Sequence, residues 1–307
     1  MKNILIIGGS YFVGRVFVEE LLKKKDYSIY VLNRGNIPFN RKEVTEIVCD
    51  RHDAGEMKRL LPEVDWCAVV DFCAYAPEDI SSTLSVLPPN RTGQYIYVST
   101  CSVYSQTSDL PIKEHAEKLD GPQPELGPFA DYGFNKWRAE LQLEKHAEEQ
   151  GMPFTSIRPS FIYGKYNYAP RESYFFDLIV KGEPIIIPRD NLSLFSFVSV
   201  WDVAWILLGC IENRTVFNRA FNASAWELIS YRRLMEVFEM ITDQKLLIQE
   251  KTTEEIEELQ TPLPFPLHEH LVYSGSLIQS ILDFTYTPLL EGMRETYRYY
   301  RIGHGLS

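Results

Sequence analysis

Tyr132 and Lys136 sit four residues apart in Tyr132-Gly133-Phe134-Asn135-Lys136. On a helix that spacing puts a phenol and an amine on one face. A free tyrosine ionises at about pH 10, too high for a base at neutral pH, and a neighbouring ammonium favours the phenolate. The pair can therefore move a proton on and off a hydroxyl, the step that accompanies interconversion of a secondary alcohol and a ketone. A third group lies upstream in Tyr95-Ile96-Tyr97-Val98-Ser99-Thr100-Cys101-Ser102-Val103-Tyr104, a buried strand running into a hydroxyl-rich turn. Thr100 can hydrogen-bond the substrate oxygen and orient it; its other use is to cap the turn. The predicted catalytic set is Thr100, Tyr132 and Lys136.

Such chemistry needs a hydride carrier, and the N-terminus offers a place for one. Gly8-Gly9-Ser10-Tyr11-Phe12-Val13-Gly14 follows the apolar run Ile4–Ile7 and opens a helix. A dinucleotide needs a tight turn, a close backbone approach to its pyrophosphate, and a helix N-terminus aimed at the anion. Gly8, Gly9 and Gly14 supply the turn and the helix–strand contact. Tyr11 stands where a further glycine is usual, so its side chain must turn away from the pyrophosphate or lie along it. The positive charge of an oxidised nicotinamide would act on Tyr132 together with Lys136, which can also hold the cofactor ribose. The second strand ends Val31-Leu32-Asn33-Arg34-Gly35, without the acidic residue that accepts from an adenosine ribose. Asn33 is neutral, and Arg34 can pair with a 2′-phosphate, which favours NADP slightly over NAD; a solvated Arg34 would leave NAD. Asp50 can bind the adenine amine, with Arg51 stacking on the ring, or Asp50 can serve only as a strand-end turn residue.

Short apolar runs alternate with amphipathic stretches. Strands are predicted at Ile4–Ile7, Ile29–Leu32, Glu46–Cys49, Ala68–Phe72, Tyr95–Ser99 and Phe154–Ile157. Helices are predicted at Phe12–Lys24, Glu56–Leu61, Asp79–Val86 and Tyr132–Glu149. The alternation predicts an α/β Rossmann fold: a doubly wound parallel sheet with a smaller C-terminal substrate lobe. Residues 1–165, with 197–225 returning to them, form the dinucleotide-binding part. Residues 166–196 and 226–307 form the lobe, whose Thr261–Pro266 segment reads as a loop. Phe197–Val200 and Ala220–Ala223 are read as short additional strands.

A net charge of −11 argues against a general nucleic-acid or anionic-membrane surface, though not against a local phosphate pocket. The five cysteines form no CxxC pair and, with Met1–Ile7 reading as a core strand rather than a secretory leader, point to reduced thiols in the cytoplasm. The six histidines and the cysteines show no ligand-like cluster, so no metal is expected. No apolar run is long enough to span a bilayer.

Taken together, these residues resemble an extended short-chain dehydrogenase/reductase of the NAD-dependent epimerase/dehydratase family. The likeness covers nearly the whole chain. It includes the glycine turn, Asp50-Arg51, Ser99-Thr100 with Val103-Tyr104, Tyr132 with Lys136, Ile157-Arg158-Pro159, Tyr163-Gly164, Val200-Trp201-Asp202-Val203-Ala204 and Phe221-Asn222-Ala223. The resemblance implies that Phe72, Cys73, Ala74, Ser99, Pro159 and Ser160 line the cofactor beside the glycine turn. It also implies a homodimer through Asp79–Val86 and Tyr132–Glu149. The Tyr11 variant and the Asn33-Arg34-Gly35 ending are closer to a branch that includes chloroplast stem-loop RNA-binding proteins, so a non-catalytic nucleotide- or RNA-binding member is the alternative.

Two departures narrow the chemistry. Dehydratases of this family follow their threonine with an acidic pair; here Cys101 and Ser102 stand there, which disfavours loss of water. Nucleotide-sugar epimerases clamp a diphosphate with two arginines, and the matching positions fall near Phe195 and Pro264. Lys165, Arg171 or Arg189 could replace them, or the substrate carries no nucleotide. His268 and His270 read as part of a solvated loop.

Overall fold

The first strand shows how the sheet is covered in the computed structural model, which describes residues 1–306. Strand β1 (Lys2–Ile7) sends Ile4 and Ile6 into one hydrophobic cluster and Leu5 and Ile7 into another. A strand apolar on both faces is what a parallel sheet between helix layers requires. The chain continues through α1 (Phe12–Lys24), β2 (Tyr27–Asn33), β3 (Val44–Val48), α2 (Ala54–Leu60), β4 (Trp66–Asp71), α3 (Pro77–Val86), β5 (Tyr95–Val98), α4 (Tyr132–Gln150) and β6 (Phe154–Pro159). Then follow β7 (Phe161–Tyr163), α5 (Glu172–Lys181), β8 (Ile185–Pro188), β9 (Phe195–Ser199), α6 (Val200–Cys210) and β10 (Arg219–Ala223). The remainder is β11 (Leu228–Ile229), α7 (Tyr231–Thr242), β12 (Ile248–Lys251), α8 (Thr253–Glu258), α9 (Ser276–Leu282) and α10 (Leu289–Gly303).

Seven strands form one sheet in the order β10-β6-β5-β4-β1-β2-β3, every neighbouring pair parallel. The order reverses between β1 and β4, which opens a crevice at their C-terminal ends, where ligands bind in folds of this type. Helices α1, α6 and α9 cover one face through Val13, Val16, Phe17, Val203, Leu207 and Ile278. Helices α2, α3 and α4 cover the other through Met57, Ile80, Leu84, Ala139 and Leu143.

A second core is largely aromatic: Phe175, Phe176, Phe195, Phe197, Tyr231, Phe238 and Phe265 bury one another. Strand β9 belongs to it, pairing with β7 and β11 in a separate three-stranded sheet. The reason is its composition. All five residues of β9 are buried, and Phe195 and Phe197 pack on the rings of Phe161 and Phe265. The return to the large sheet comes only with α6, packed on α1, and with β10 on the sheet edge.

One buried ion pair ties the sheet to α4. Arg158 on β6 grips Glu140 on α4 through Nε (3.0 Å to Oε1) and Nη2 (2.6 Å to Oε2), with each side chain 4% exposed. Ser99 donates to the same carboxylate at 2.5 Å, and Arg158 Nη1 donates to the Tyr104 hydroxyl at 2.9 Å. Tyr104 in turn donates to Asn222 at 2.6 Å, so the network joins β5, α4, β6 and β10. Removing one partner leaves the other charge buried and unpaired. Arg158→Ala is therefore expected to lower the unfolding free energy by about 3–5 kcal/mol in urea titration, and Arg158→Met with Glu140→Leu to lose clearly less.

Candidate active site

Helix α4 approaches the end of β5 because Gly133 has no side chain. A Cβ there would lie 2.2 Å from the Ser102 carbonyl oxygen. The approach brings Tyr132, the first residue of α4, to Thr100, the second residue past β5 on the Ser99-Thr100 turn. Thr100 also caps that turn, accepting from Ser102 N at 3.1 Å and donating to Ser102 Oγ at 3.2 Å. The capping use of Thr100 is the one these bonds show. Tyr132 is 38% exposed as a residue, but its hydroxyl end is desolvated. Burial raises its pKa above the ordinary value, and the hydrogen bond with Thr100 pulls it partly back.

That direction is opposite to the one predicted from an adjacent ammonium, and Lys136 explains it. Lys136 is 2% exposed and donates to the Ala74 carbonyl at 2.9 Å and the Val98 carbonyl at 2.7 Å. Its ammonium lies 4.4 Å from the Tyr97 ring centroid and 5.4 Å from that of Tyr75. It faces these carbonyls and ring faces rather than the phenolic oxygen of Tyr132. Burial lowers the Lys136 pKa to about 8. An ammonium has three donors, so one N–H remains beyond these two bonds for a further acceptor.

The loop after β4 is set by Asp71, a residue the sequence pattern did not single out. Its Oδ1 accepts from Cys73 N (2.9 Å), Ala74 N (3.0 Å) and Arg51 Nη1 (2.8 Å), and its Oδ2 from the Tyr95 hydroxyl (2.5 Å). Arg51 also donates to Asp79 O at 2.7 Å and Thr83 Oγ1 at 2.8 Å. Arg51 thus points into the protein and is not free to stack on an adenine, which corrects the sequence-based assignment. A buried guanidinium needs a carboxylate partner, and Asp71 supplies it. A fully apolar strand closing on a single aspartate was the available signal.

The glycine turn fits an anion. Gly8 and Gly9 adopt φ of +85° and +75°, and a Cβ on Gly14 would stand 2.3 Å from Gly9 Cα. Tyr11 precedes α1 without a capping side chain, so the first N–H groups of the helix remain available. Ser10 is half-buried, Phe12 and Val13 are buried, and Tyr11 turns outward. Across the crevice, Phe72 and Cys73 are half-buried and Ala74 and Pro159 are buried. Ser160 Oγ is buried without a partner, a polar atom suited to a bound polar ligand. Ser99 sits at the crevice, but its hydroxyl is turned to Glu140. At the end of β2, Asn33 is buried and accepts from Gly35 N at 2.6 Å, while Arg34 is exposed. Asp50 is exposed and pairs with His52 at 2.8 Å; its pKa is lowered by hydrogen bonds from His52 and by the charge of Arg34.

Of the three cations considered for a substrate anion, Lys165 pairs with Glu19 at 2.8 Å and Arg189 lies 3.9 Å from Glu255. Arg171 donates to Ile162 O at 3.2 Å, lies over the Phe161 ring, and is close enough to Tyr132 for its charge to favour the phenolate. Phe195 stacks on Phe265 at 4.7 Å, so the position matched to one clamp arginine is an aromatic core site. His268 and His270 are exposed on a surface loop. Among the described residues no group of three or more His, Cys, Asp or Glu could hold a metal, and no helix is long and apolar enough to cross a membrane.

The sequence profile of the NAD dependent epimerase/dehydratase family matches residues 4–224. The chain is 28% identical over 244 residues to the chloroplast stem-loop binding protein of 41 kDa b of Arabidopsis thaliana, covering 75% of this chain and 60% of that protein. It is 25% identical over 240 residues to UDP-glucose 4-epimerase of Vibrio cholerae, covering 73% of this chain and 70% of the relative. The dTDP-glucose 4,6-dehydratase of Bacillus anthracis, solved in complex with NAD, superposes with a TM-score of 0.81 at 16% identity, over 99% of this chain and 98% of the other.

The burial of Lys136 has a measurable consequence. Its folded pKa of about 8 lies below the ordinary 10.5, so between these values the unfolded chain binds the proton that the folded chain has released. Its contribution to stability therefore rises with pH across that window. Below it, the charged form carries the full desolvation cost. Lys136→Met is expected to flatten the pH dependence of the unfolding free energy between pH 8 and 10.5. An unchanged slope would show that Lys136 titrates normally.

Proposed function

The chain belongs to the NAD dependent epimerase/dehydratase family, and on that premise we propose that it is an NAD(P)-dependent epimerase or oxidoreductase acting on a secondary alcohol or ketone of a sugar, sugar nucleotide or related small molecule. The observation that carries this is the packing of the Tyr132 end of α4 on the Thr100–Ser102 turn, with Lys136 buried one turn further along the same helix face. The glycine turn at the β1–α1 junction, the Ala74 loop and Ser160 are the residues suited to hold the dinucleotide. When bound, the nicotinamide would supply the hydride acceptor and donor.

The side chains of this protein do the rest. Thr100 hydrogen-bonds the substrate oxygen and holds it within reach of Tyr132. Tyr132 takes the hydroxyl proton as the alcohol becomes a ketone and returns it in the reverse step. Lys136 supplies positive charge beneath the phenol and has an N–H left for the cofactor ribose. Cys101 and Ser102, where a dehydratase needs carboxylic acids, support alcohol–ketone chemistry over loss of water. Arg171 is the cation best disposed to meet an anionic group on the substrate.

For the cofactor we favour NADP slightly, because Arg34 is exposed beside a β2 end that offers the neutral Asn33 in place of an acid. The alternative reading, a non-catalytic nucleotide- or RNA-binding protein, is favoured only by similarity to the stem-loop binding relative; the net charge of −11 speaks against broad phosphate binding.

Two substitutions test these statements. Tyr132→Phe is expected to lower turnover on a screened sugar or ketone substrate by about 100-fold or more while dinucleotide affinity persists. Full activity in that variant would sink the acid/base assignment, and salt-sensitive stem-loop binding unaffected by the change would support the alternative. Arg34→Ala is expected to weaken NADPH binding by roughly tenfold, as loss of one charge-assisted phosphate contact does, with NADH little changed. Equal effects on both would remove the preference for NADP.

A further inference from the structure

We propose that residues 164–171 form a strap that closes over the dinucleotide site at its glycine turn, with Tyr168 and Tyr11 as its clasp, so that the cofactor is retained between turnovers. The proposal rests on the dinucleotide reading above and names a device that reading does not require.

The strap is built before it reaches the site. The Glu172 carboxylate, 3% exposed as a residue, accepts from Gly164 N at 3.0 Å and from Asn167 Nδ2 at 3.0 and 2.9 Å, which closes the loop on its own base. Asn167 Oδ1 accepts from Ala169 N at 3.0 Å. Gly164, with φ of +130°, lets the chain turn against α6, since a Cβ would lie 2.6 Å from Val200 Cγ1.

The closed loop is then fastened to α1, the helix that opens from the glycine turn. Glu19 on α1 accepts from Lys165 Nζ and from the Tyr166 hydroxyl, both at 2.8 Å. The Arg15 guanidinium lies over the Tyr166 ring at 5.3 Å, and Arg15 directly follows Gly14. At the tip, the Tyr168 ring sits 5.1 Å from the Tyr11 ring and 6.0 Å from the Phe12 ring. Tyr11 is the residue that replaces a usual glycine, and its side chain turns outward to meet the strap. Phe12 adopts φ of +38°, a conformation a bulky residue avoids unless its surroundings hold it. The Tyr168 ring meets the edge of this strained residue from the solvent side.

The strap ends at Arg171, whose guanidinium lies over the Phe161 ring and donates to Ile162 O at 3.2 Å. Its clasp stands at the glycine turn, where the pyrophosphate of a dinucleotide would lie. Tyr168 is nevertheless 63% exposed and Tyr11 49%, so the clasp is a surface contact that can part without disturbing a core. A retained cofactor suits a balanced cycle. The hydride taken from a carbinol carbon and the proton taken by Tyr132 both go back to the same substrate, and no external oxidant is needed. That favours epimerisation over a reaction that exchanges its cofactor.

The test is the rate at which NADH or NADPH, whichever binds more tightly, leaves the full chain on displacement by excess unlabelled dinucleotide, followed by its fluorescence. Tyr168→Ala and Tyr11→Ala are each expected to speed release by about tenfold, the scale of one aromatic pair, and the double variant to add little more. Tyr168→Phe should release as slowly as the unaltered protein. Glu19→Gln, remote from the proposed catalytic residues, should also speed release by loosening the fastening. Release unchanged in both Tyr168→Ala and Glu19→Gln, with binding intact, overturns the strap and leaves the enzyme reading standing. If the unaltered protein binds neither dinucleotide, that reading fails and the strap fails with it.

Discussion

The burial of one ammonium governs the geometry of the whole site. Removing Lys136 from water is unfavourable unless acceptors replace the lost hydration. The carbonyls of Ala74 and Val98 do so, with the rings of Tyr97 and Tyr75 lending their negative faces. These acceptors come from the loop after β4, which stands at the reversal in strand order, and from the end of β5 beside it. Ala74 faces Lys136 because Asp71 holds its N–H, and Asp71 is itself held by Arg51 and Tyr95. A line of constraint thus runs from the end of β3 through a buried ion pair to the amine. Displacing any link would leave either a guanidinium, a carboxylate or an ammonium short of a partner.

On the same face of α4, one turn further along, a second buried pair does comparable work. Glu140 lies one turn beyond Lys136 on the same helix, and its carboxylate receives Arg158 and Ser99. Lys136 and Glu140 therefore anchor α4 to the C-terminal ends of β5 and β6 by charges of opposite sign. Tyr132, one turn earlier, has no such anchor, and its place depends on the contact of Gly133 with the Ser102 carbonyl. The Tyr132 end of the helix is fixed by sterics at its first turn and by electrostatics at its second and third.

Much of this was legible from residue types. Period and composition predicted the strands and helices of the parallel sheet, because doubly covered strands leave continuous apolar runs such as Ile4–Ile7 and a helix face such as Val13, Val16 and Phe17. Tyr132 and Thr100 were readable as partners. What sequence could not supply was direction. Arg51 follows a strand as a surface residue would, and only the three-dimensional position of Asp71 turns it inward. Lys136 shares a helix face with Tyr132, yet faces carbonyls contributed 38 and 62 residues away in the chain. Phe195 and Phe265 are 70 residues apart, and nothing local shows that they stack. Tyr11 was visible as an oddity, but its meaning depended on Tyr168 arriving from the other end of the fold.

The raised pKa of Tyr132 gives the site a property that neither a solvated tyrosine nor one facing a lysine would have. Burial keeps the phenol protonated, and the nearest ammonium is already engaged with backbone carbonyls below it. A positive charge brought in from above, in a space that excludes water, then has a large effect on the phenol, because low-dielectric surroundings strengthen the interaction. The same coupling runs the other way: a phenolate holds a nearby cation more tightly than a phenol does. Under the proposed function, a base made this way would exist mainly when an oxidised nicotinamide is beside it. Proton removal from an alcohol would thereby be tied to the presence of a group able to take the hydride. A segment that keeps water out and holds the cationic ring in place would strengthen that tie, and the proposed strap, with Tyr168 against the Tyr11 and Phe12 rings of the glycine turn, would do so without touching a proton.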